Sequence, residues 1–113
     1  MELQELINSL SLEVKTPDLD LHREVTGGYA SDLLSDVIGN AHKGDIWVTL
    51  QVHLNIIAVA SLKELAGIIL VSNRTADADT LNKAIAENVP VMTSTLPTFD
   101  LVGKLYAFGL RCR

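Results

Sequence analysis

The side chains best suited to chemistry in this sequence are hydroxyls, amides and one guanidinium, and most of them follow predicted strands. Strand by strand, these residues are Gln51 and His53; Ser72, Asn73 and Arg74; and Thr93, Ser94 and Thr95. Because ligands bind outside the carboxyl ends of strands in an open parallel sheet, we expect these groups to share one edge. Hydroxyl, amide and guanidinium groups donate hydrogen bonds to phosphates, sugars and carboxylates, so they predict a site for a small anionic ligand.

Each of these groups also has an ordinary structural interpretation. The hydroxyl and amide residues are common in loops and helix caps. Arg74 can pair with Asp77 or Asp79, and His53 can cap the helix that follows it. The sequence alone does not decide between the two interpretations.

The run Thr26-Gly27-Gly28 is expected to contribute to the same anion site at this edge. Adjacent glycines allow a turn with positive φ, and a helix N-terminus directly after such a turn attracts anions. Ser31 or Asp32 is expected to cap that helix, whose apolar positions are Leu33, Leu34, Val37, Ile38 and Ala41. The alternative is that the glycines only make a tight turn.

The motifs of the common enzyme and metal classes are missing. The only Gly-Lys pair is Gly103-Lys104, which is followed by Leu105 and therefore does not complete a phosphate-binding loop. The single cysteine, Cys112, cannot hold an iron–sulfur cluster. We therefore expect no catalytic residues, no metal and no cofactor. If the chain were an enzyme, His53 would be its general base, with Thr49 or Ser72 nearby.

Composition narrows the class of partner. The net charge of −5 over 113 residues, with scattered Lys and Arg, argues against nucleic-acid binding. No run reaches the roughly 18 apolar residues of a membrane span, and no signal peptide opens the chain, so we expect a cytoplasmic protein without membrane contact. Hydrophobic residues make up 48% of the chain, which leaves apolar side chains for a homodimer interface. Phe99, Tyr106 and Phe108 of the last helix and the apolar face of the first helix are candidates for it.

The hydrophobic pattern predicts one α/β domain over residues 1–113. A short helix over 2–9 and extended segments over 12–16 and 19–25 precede the glycines. From residue 45 onwards strands and helices alternate, which predicts a mainly parallel sheet between helices in three α/β/α layers. The expected strands are 45–50, 68–71 and 89–92. The expected helices are one with apolar Leu54, Ile57, Ala58, Ser61, Leu62 and Leu65 that Gly67 ends, one capped by Asp77 or Asp79 that Asn88 ends, and one from Pro97 to Gly109.

Several runs resemble the DRTGG domain family over about residues 20–110. They are 24–36, which contains Thr-Gly-Gly, 44–51, the segment His53-x-Asn55-Ile56, the strand 68–71, and the stretch from Thr93-Ser94-Thr95 to the last helix. The sequence departs from the family name at Glu24 and Val25, which stand where the Asp-Arg pair is expected.

The resemblance implies an α/β fold similar to the N-terminal, non-catalytic domain of HPr kinase/phosphorylase. DRTGG domains also accompany CBS domains in some pyrophosphatases and are attached to phosphotransacetylases, where they look like regulatory or assembly modules. The resemblance therefore implies a regulatory module. The glycines and the polar strand ends predict that it binds a small anionic ligand such as a nucleotide or phosphorylated metabolite. The alternative is an oligomerisation or docking module for a protein partner encoded nearby.

Overall fold

Four strands run parallel in one sheet, as the alternation of strands and helices predicts. The computed structural model describes residues 1–113. Its strands are β1 (Glu13–Val14), β2 (Gly27–Ala30), β3 (Asp45–Thr49), β4 (Gly67–Leu70) and β5 (Val91–Thr93). Its helices are α1 (Leu3–Leu10), α2 (Leu34–Asn40), α3 (Asn55–Leu62), α4 (Ala78–Ala86) and α5 (Thr98–Ala107).

The sheet has the order β1-β5-β4-β3-β2, with β1 antiparallel to β5 and every other pair parallel. Consecutive strands β2 to β5 are therefore neighbours, and each helix between them crosses on the same face, as right-handed crossovers require. All residues of β3 and β4 are buried. This confirms the expectation that the apolar run at 68–71 is covered on both faces.

Side chains of the central strands alternate between two apolar cores. Ile46 and Val48 face the core under α1 and α5, whereas Trp47 faces the core under α2, α3 and α4. The three-layer α/β/α architecture is thus confirmed. The α1 helix closes the first core with Leu3 and Leu6, which are fully buried.

The expected glycine turn is wrong. Gly27 and Gly28 lie inside β2, in parallel register with Asp45 and Ile46 of β3, and neither has a positive φ. Gly27 is needed for space: an added Cβ would lie 2.6 Å from Asp45 Oδ1 and 2.8 Å from the carbonyl oxygen of Arg111. Gly27 therefore lets the C-terminal residues approach an edge strand.

The helix after β2 also differs from the expectation. Its N-cap is Leu33, without a side-chain cap hydrogen bond, so neither Ser31 nor Asp32 caps it. Ser31 Oγ accepts from the Leu33 N–H at 3.2 Å, one residue before the helix. Of the apolar positions expected to face inward, Leu33 and Ile38 are exposed, whereas Val37 is buried.

The α3 helix is shorter than predicted and buries a different face. Its buried residues are Ile56, Ile57, Val59 and Ala60, and Leu54 and Leu62 are exposed. The helix lies over the sheet between α2 and α4, so its covered face is wider than an amphipathic stripe. Gly67 does not end this helix; it opens β4, and Glu64 takes the left-handed conformation after the helix instead.

The last two helices begin where they were expected. Asp77 is the N-cap of α4 and accepts from the Thr80 N–H at 2.9 Å, and Pro97 is the N-cap residue of α5. Asn88 follows α4 in the left-handed conformation. The segment 19–25 is not a strand, because its only ladder contact is an isolated bridge between Glu24 and Glu2.

Candidate functional site

The loops after β2, β3, β4 and β5 meet at one end of the sheet, called here the carboxyl edge. It brings together most of the residues predicted from sequence: Gln51, His53, Ser72, Asn73, Arg74, Thr93, Ser94 and Thr95. It also contains Asp32, for which the sequence predicts a role as a helix cap.

Thr26, Gly27 and Gly28 lie at the opposite end, where β2 and β3 begin. The C-terminal residues cover this end. The Gly28 N–H donates to the carbonyl oxygen of Arg111 at 3.1 Å, and Arg113 donates to the buried carboxylate of Asp45 at 3.1 Å. The structure therefore does not combine these residues with the groups of the carboxyl edge. With only seven residues, α2 also offers no extended helix N-terminus for an anion.

A strained turn forms the centre of the carboxyl edge. Ser72 and Asn73 both have positive φ, 55° and 57°, and the Arg74 N–H closes the turn on the carbonyl oxygen of Val71 at 3.1 Å. Left-handed backbone is unfavourable for residues other than glycine, and it persists where the surroundings hold it. The Ser72 and Asn73 N–H groups donate to the carbonyl oxygens of Leu96 and Ser94 at 2.8 and 2.9 Å. The turn is thereby fixed to the loop after β5.

Asp32 joins the loops after β2 and β3. Its Oδ1 accepts from the Thr49 hydroxyl at 2.9 Å and from the Leu50 N–H at 2.7 Å. The Gln51 side-chain amide donates to the Asp32 carbonyl oxygen at 3.1 Å. The other carboxylate oxygen of Asp32, Oδ2, accepts no hydrogen bond from the protein. Asp32 follows the end of the strand 27–30. Recognising that strand from the sequence would have placed Asp32 at this edge.

A polar cavity of about 170 Å³ lies between Asp32, Leu50, Gln51 and Arg74. Arg74 is exposed. It forms none of the ion pairs of this chain, so it does not pair with Asp77 or Asp79. Its guanidinium is therefore available to an anion at the cavity.

A second cavity, of about 260 Å³, lies on the other side of the strained turn. Hydroxyl and amide residues form much of its wall: Ser11, Asn73, Thr93, Ser94 and Thr95. Thr93 and Ser94 are buried, and Ser94 Oγ accepts from the Leu96 N–H at 3.1 Å. Glu13 also lines it, which makes this side less favourable for a second anionic group.

His53 has a structural role at the start of α3. Its Nδ1 accepts from the N–H of Asn55, the first residue of α3, at 3.1 Å. The pKa of Asp77 is lowered chiefly because the backbone and hydroxyl groups of Thr80 donate to its carboxylate, with a smaller effect of nearby His53. His53 has no hydrogen bond to a nucleophile that it could activate.

Two further properties bear on the chemistry. No three His, Cys, Asp or Glu residues are grouped in a way that could hold a metal ion. No helix has the length and apolar character needed to span a membrane.

Comparison with solved structures identifies the fold. The chain superimposes on the CBS and DRTGG domain structure of the regulatory region of Clostridium perfringens pyrophosphatase with a TM-score of 0.71, over 98% of its length. The chain has a DRTGG-like fold.

The two proteins share the backbone fold but little sequence, since only 15% of the residues are identical. The chain spans 48% of the length of the neighbour. The neighbour is a regulatory region, and its structure contains the activator diadenosine tetraphosphate. No protein-family model matches the sequence, and no curated protein matches it. The fold nevertheless agrees with the family that the sequence runs resemble.

Proposed function

We propose that this chain is a non-catalytic regulatory module that binds a small anionic ligand, a nucleotide or phosphorylated metabolite, at the carboxyl edge. It acts as a homodimer in the cytoplasm, and any chemistry belongs to a protein partner. The DRTGG-like fold supports this proposal, because the pyrophosphatase neighbour is a regulatory region that binds a nucleotide activator.

The observation that carries the proposal is the unpaired guanidinium of Arg74 beside the polar cavity. A guanidinium binds phosphate oxygens with two parallel hydrogen bonds, and these bonds are stronger than neutral ones. Arg74 closes a turn that three backbone hydrogen bonds hold in place, so its backbone needs little ordering when a ligand binds. Preorganisation of this kind increases affinity.

Asp32 gives the cavity a second recognition element. Its free carboxylate oxygen can accept a hydrogen bond from a sugar hydroxyl, as acidic residues do for ribose in nucleotide-binding α/β folds. A ligand with a phosphate and a sugar would thus contact Arg74 and Asp32 together, while inorganic phosphate would contact Arg74 alone. This favours a nucleotide or sugar phosphate over a simple anion.

A ligand panel tests this function. Thermal unfolding is measured with AMP, ATP, diadenosine tetraphosphate, a sugar phosphate and inorganic phosphate. A ligand at 100 times its Kd raises the free energy of unfolding by about 2.7 kcal/mol. We expect Arg74→Gln to weaken binding by about tenfold or more, since a charge-assisted hydrogen bond contributes about 1.5–3 kcal/mol.

Lys43→Gln is the matched control, because it removes the same charge from an exposed residue away from the carboxyl edge. If Lys43→Gln weakens ligand binding as much as Arg74→Gln does, the result would contradict a site at Arg74. The absence of any thermal shift or heat of binding across the panel would contradict the ligand-binding function as a whole.

The alternative function is docking or oligomerisation without a small ligand. The observation that favours it is the exposure of aromatic residues on α5, with Phe99 88% and Tyr106 58% exposed. A protein partner encoded nearby, captured by the chain in the absence of nucleotides, would support this alternative.

A further inference from the structure

The second cavity of the carboxyl edge contains a buried hydroxyl group without a partner. Thr93, the last residue of β5, is only 6% exposed and lines this cavity of about 260 Å³. Its hydroxyl forms no hydrogen bond within the protein, although every side-chain nitrogen or oxygen atom that is closed to solvent has a partner. The Thr93 hydroxyl is therefore open to the cavity, where a ligand can bind it.

The fold itself does not require this hydroxyl. Valine has the shape of threonine, and burying a polar group without a partner is unfavourable. The next residue, Ser94, is also buried; its Oγ accepts from the Leu96 N–H at 3.1 Å, and its own proton has no acceptor in the protein. Two neighbouring buried hydroxyls can thus still donate hydrogen bonds to a ligand.

Glu13 places an acceptor beside these donors. It lies directly opposite Thr93 in the antiparallel pair of β1 and β5, so the two side chains share one face of the sheet, with Cβ atoms about 5 Å apart. The Glu13 carboxylate is exposed and pairs with Lys15 at 2.8 Å. Donors next to a carboxylate suit a sugar, because sugar hydroxyls both donate and accept, whereas the carboxylate repels a phosphate.

Only the strained turn separates the second cavity from Arg74. Asn73 lines the second cavity, and Arg74, the next residue, lines the cavity beside Asp32. The strand order places β4, which Arg74 follows, between β5 and β2. A phosphate held by Arg74 therefore has an acceptor for a sugar on each side, Asp32 toward β2 and the second cavity toward β5.

We propose that the second cavity binds a sugar on the far side of the phosphate that Arg74 holds. The ligand is then a phosphate ester in which phosphate links two hydroxyl-bearing groups, such as a dinucleoside polyphosphate, and its phosphate is not at the end of the molecule. This inference rests on the proposed function, because it requires a phosphate at Arg74. It adds the class of ligand and assigns the buried hydroxyls of Thr93 and Ser94 to its second sugar.

Isothermal titration calorimetry with diadenosine tetraphosphate and ATP tests the proposal. The two ligands carry nearly the same charge and differ in the second adenosine. We expect the wild type to bind diadenosine tetraphosphate at least about tenfold more tightly than ATP, since the second sugar adds hydrogen bonds. Thr93→Val removes one of them and should lower this ratio of affinities about threefold or more. Without ligand, Thr93→Val should unfold at or above the midpoint of the wild type.

Two further variants complete the test. Glu13→Ala removes the acceptor and should lower the same ratio. Thr26→Val is the matched control, because it makes the change of Thr93→Val just before β2, at the opposite end of the sheet, and it should leave the ratio unchanged.

Equal affinity of the wild type for the two ligands would overturn the proposal. A ratio that Thr93→Val leaves unchanged, or that Thr26→Val lowers equally, would also overturn it. If Arg74→Gln still weakens ATP binding in that case, the proposed function stands and only the second sugar site fails. If Arg74→Gln changes the binding of neither ligand, the phosphate site fails as well.

Discussion

The carboxylate of Asp32 accepts a hydrogen bond from the hydroxyl of Thr49 at 2.9 Å, and this contact joins the ends of strands β2 and β3. The same oxygen accepts from the Leu50 N–H at 2.7 Å. Thr49 is buried. Its hydroxyl accepts from the Gln51 N–H at 3.1 Å and has Asp32 as the acceptor for its own proton. Asp32 thereby shapes the floor of the cavity beside Arg74.

Replacing Asp32 should therefore destabilise the fold as well as the cavity. We expect Asp32→Ala to lower the free energy of unfolding by about 1–3 kcal/mol, because a donor left without a partner costs that much. Asp32→Asn keeps an acceptor oxygen and should cost less than half as much. Urea unfolding measures both variants, and equal stability of Asp32→Ala and the wild type would contradict this role.

The two adjacent glycines should respond differently to alanine. At Gly27 a Cβ would lie 2.6 Å from Asp45 Oδ1 and 2.9 Å from Arg113 Nε, whereas at Gly28 its nearest neighbour, Ile46 Cγ2, is 3.5 Å away. We expect Gly27→Ala to cost about 1–3 kcal/mol through overpacking, and Gly28→Ala to stay within about 0.5 kcal/mol of the wild type.

Thermal unfolding of the two variants in parallel measures this difference. Protease sensitivity of the C-terminal residues should rise in Gly27→Ala alone, because the added methyl group displaces them from β2. If Gly27→Ala and Gly28→Ala change stability equally, the C-terminal residues are not the reason that position 27 requires glycine.

The Asp77 cap makes the stability of α4 dependent on pH. Its pKa is lowered from 3.8, first by the Thr80 N–H and then by the Thr80 hydroxyl. A lowered folded-state pKa stabilises the fold above the unfolded value of 3.8, and this contribution is lost as pH falls through the folded-state pKa.

Asp77→Ser keeps a capping oxygen but has no carboxylate to titrate. We expect the difference in unfolding midpoint between wild type and Asp77→Ser to be constant above about pH 5 and to change as pH falls below 3.8. A difference that does not vary with pH between those conditions would contradict the assignment.

Gly103 should be replaceable by alanine. Gly103→Ala should raise the free energy of unfolding by about 0.5–1 kcal/mol, because alanine is the better helix former and its methyl group enters open space. Chemical denaturation measures the change. A loss of stability would mean that packing within the chain requires the glycine.

The sheet and the carboxyl edge were predictable from the sequence because their signals are local. The apolar run 68–71 indicated a strand buried on both faces, and a parallel sheet then placed Gln51, Arg74 and Thr93 at one edge. The position of Gly27 was not predictable, because its neighbours include Arg111 and Arg113, which are remote in the chain. Local propensity favours a turn for adjacent glycines, whereas the close approach of the C-terminal residues explains why Gly27 lies in a strand.

The face of α3 was missed for a related reason. The helical pattern at Leu54, Leu62 and Leu65 suggested one apolar stripe, which fits a helix that contacts a single layer. The α3 helix contacts the sheet and also α2 and α4, so adjacent residues such as Ile56 and Ile57 are both buried. The order of strands in the sheet determines which helices lie side by side. The periodicity of a single segment carries no information about that order.

The central claim is that the anion site lies at the carboxyl edge. Its most direct test is a titration of the labelled protein with diadenosine tetraphosphate and with ATP, followed by the amide signals in ¹H–¹⁵N spectra. We predict saturable shifts at Leu50, Gln51 and the turn 72–74, which disappear in Arg74→Gln. Shifts centred on Gly27 and Gly28, or no saturable shift at the carboxyl edge, would contradict the claim.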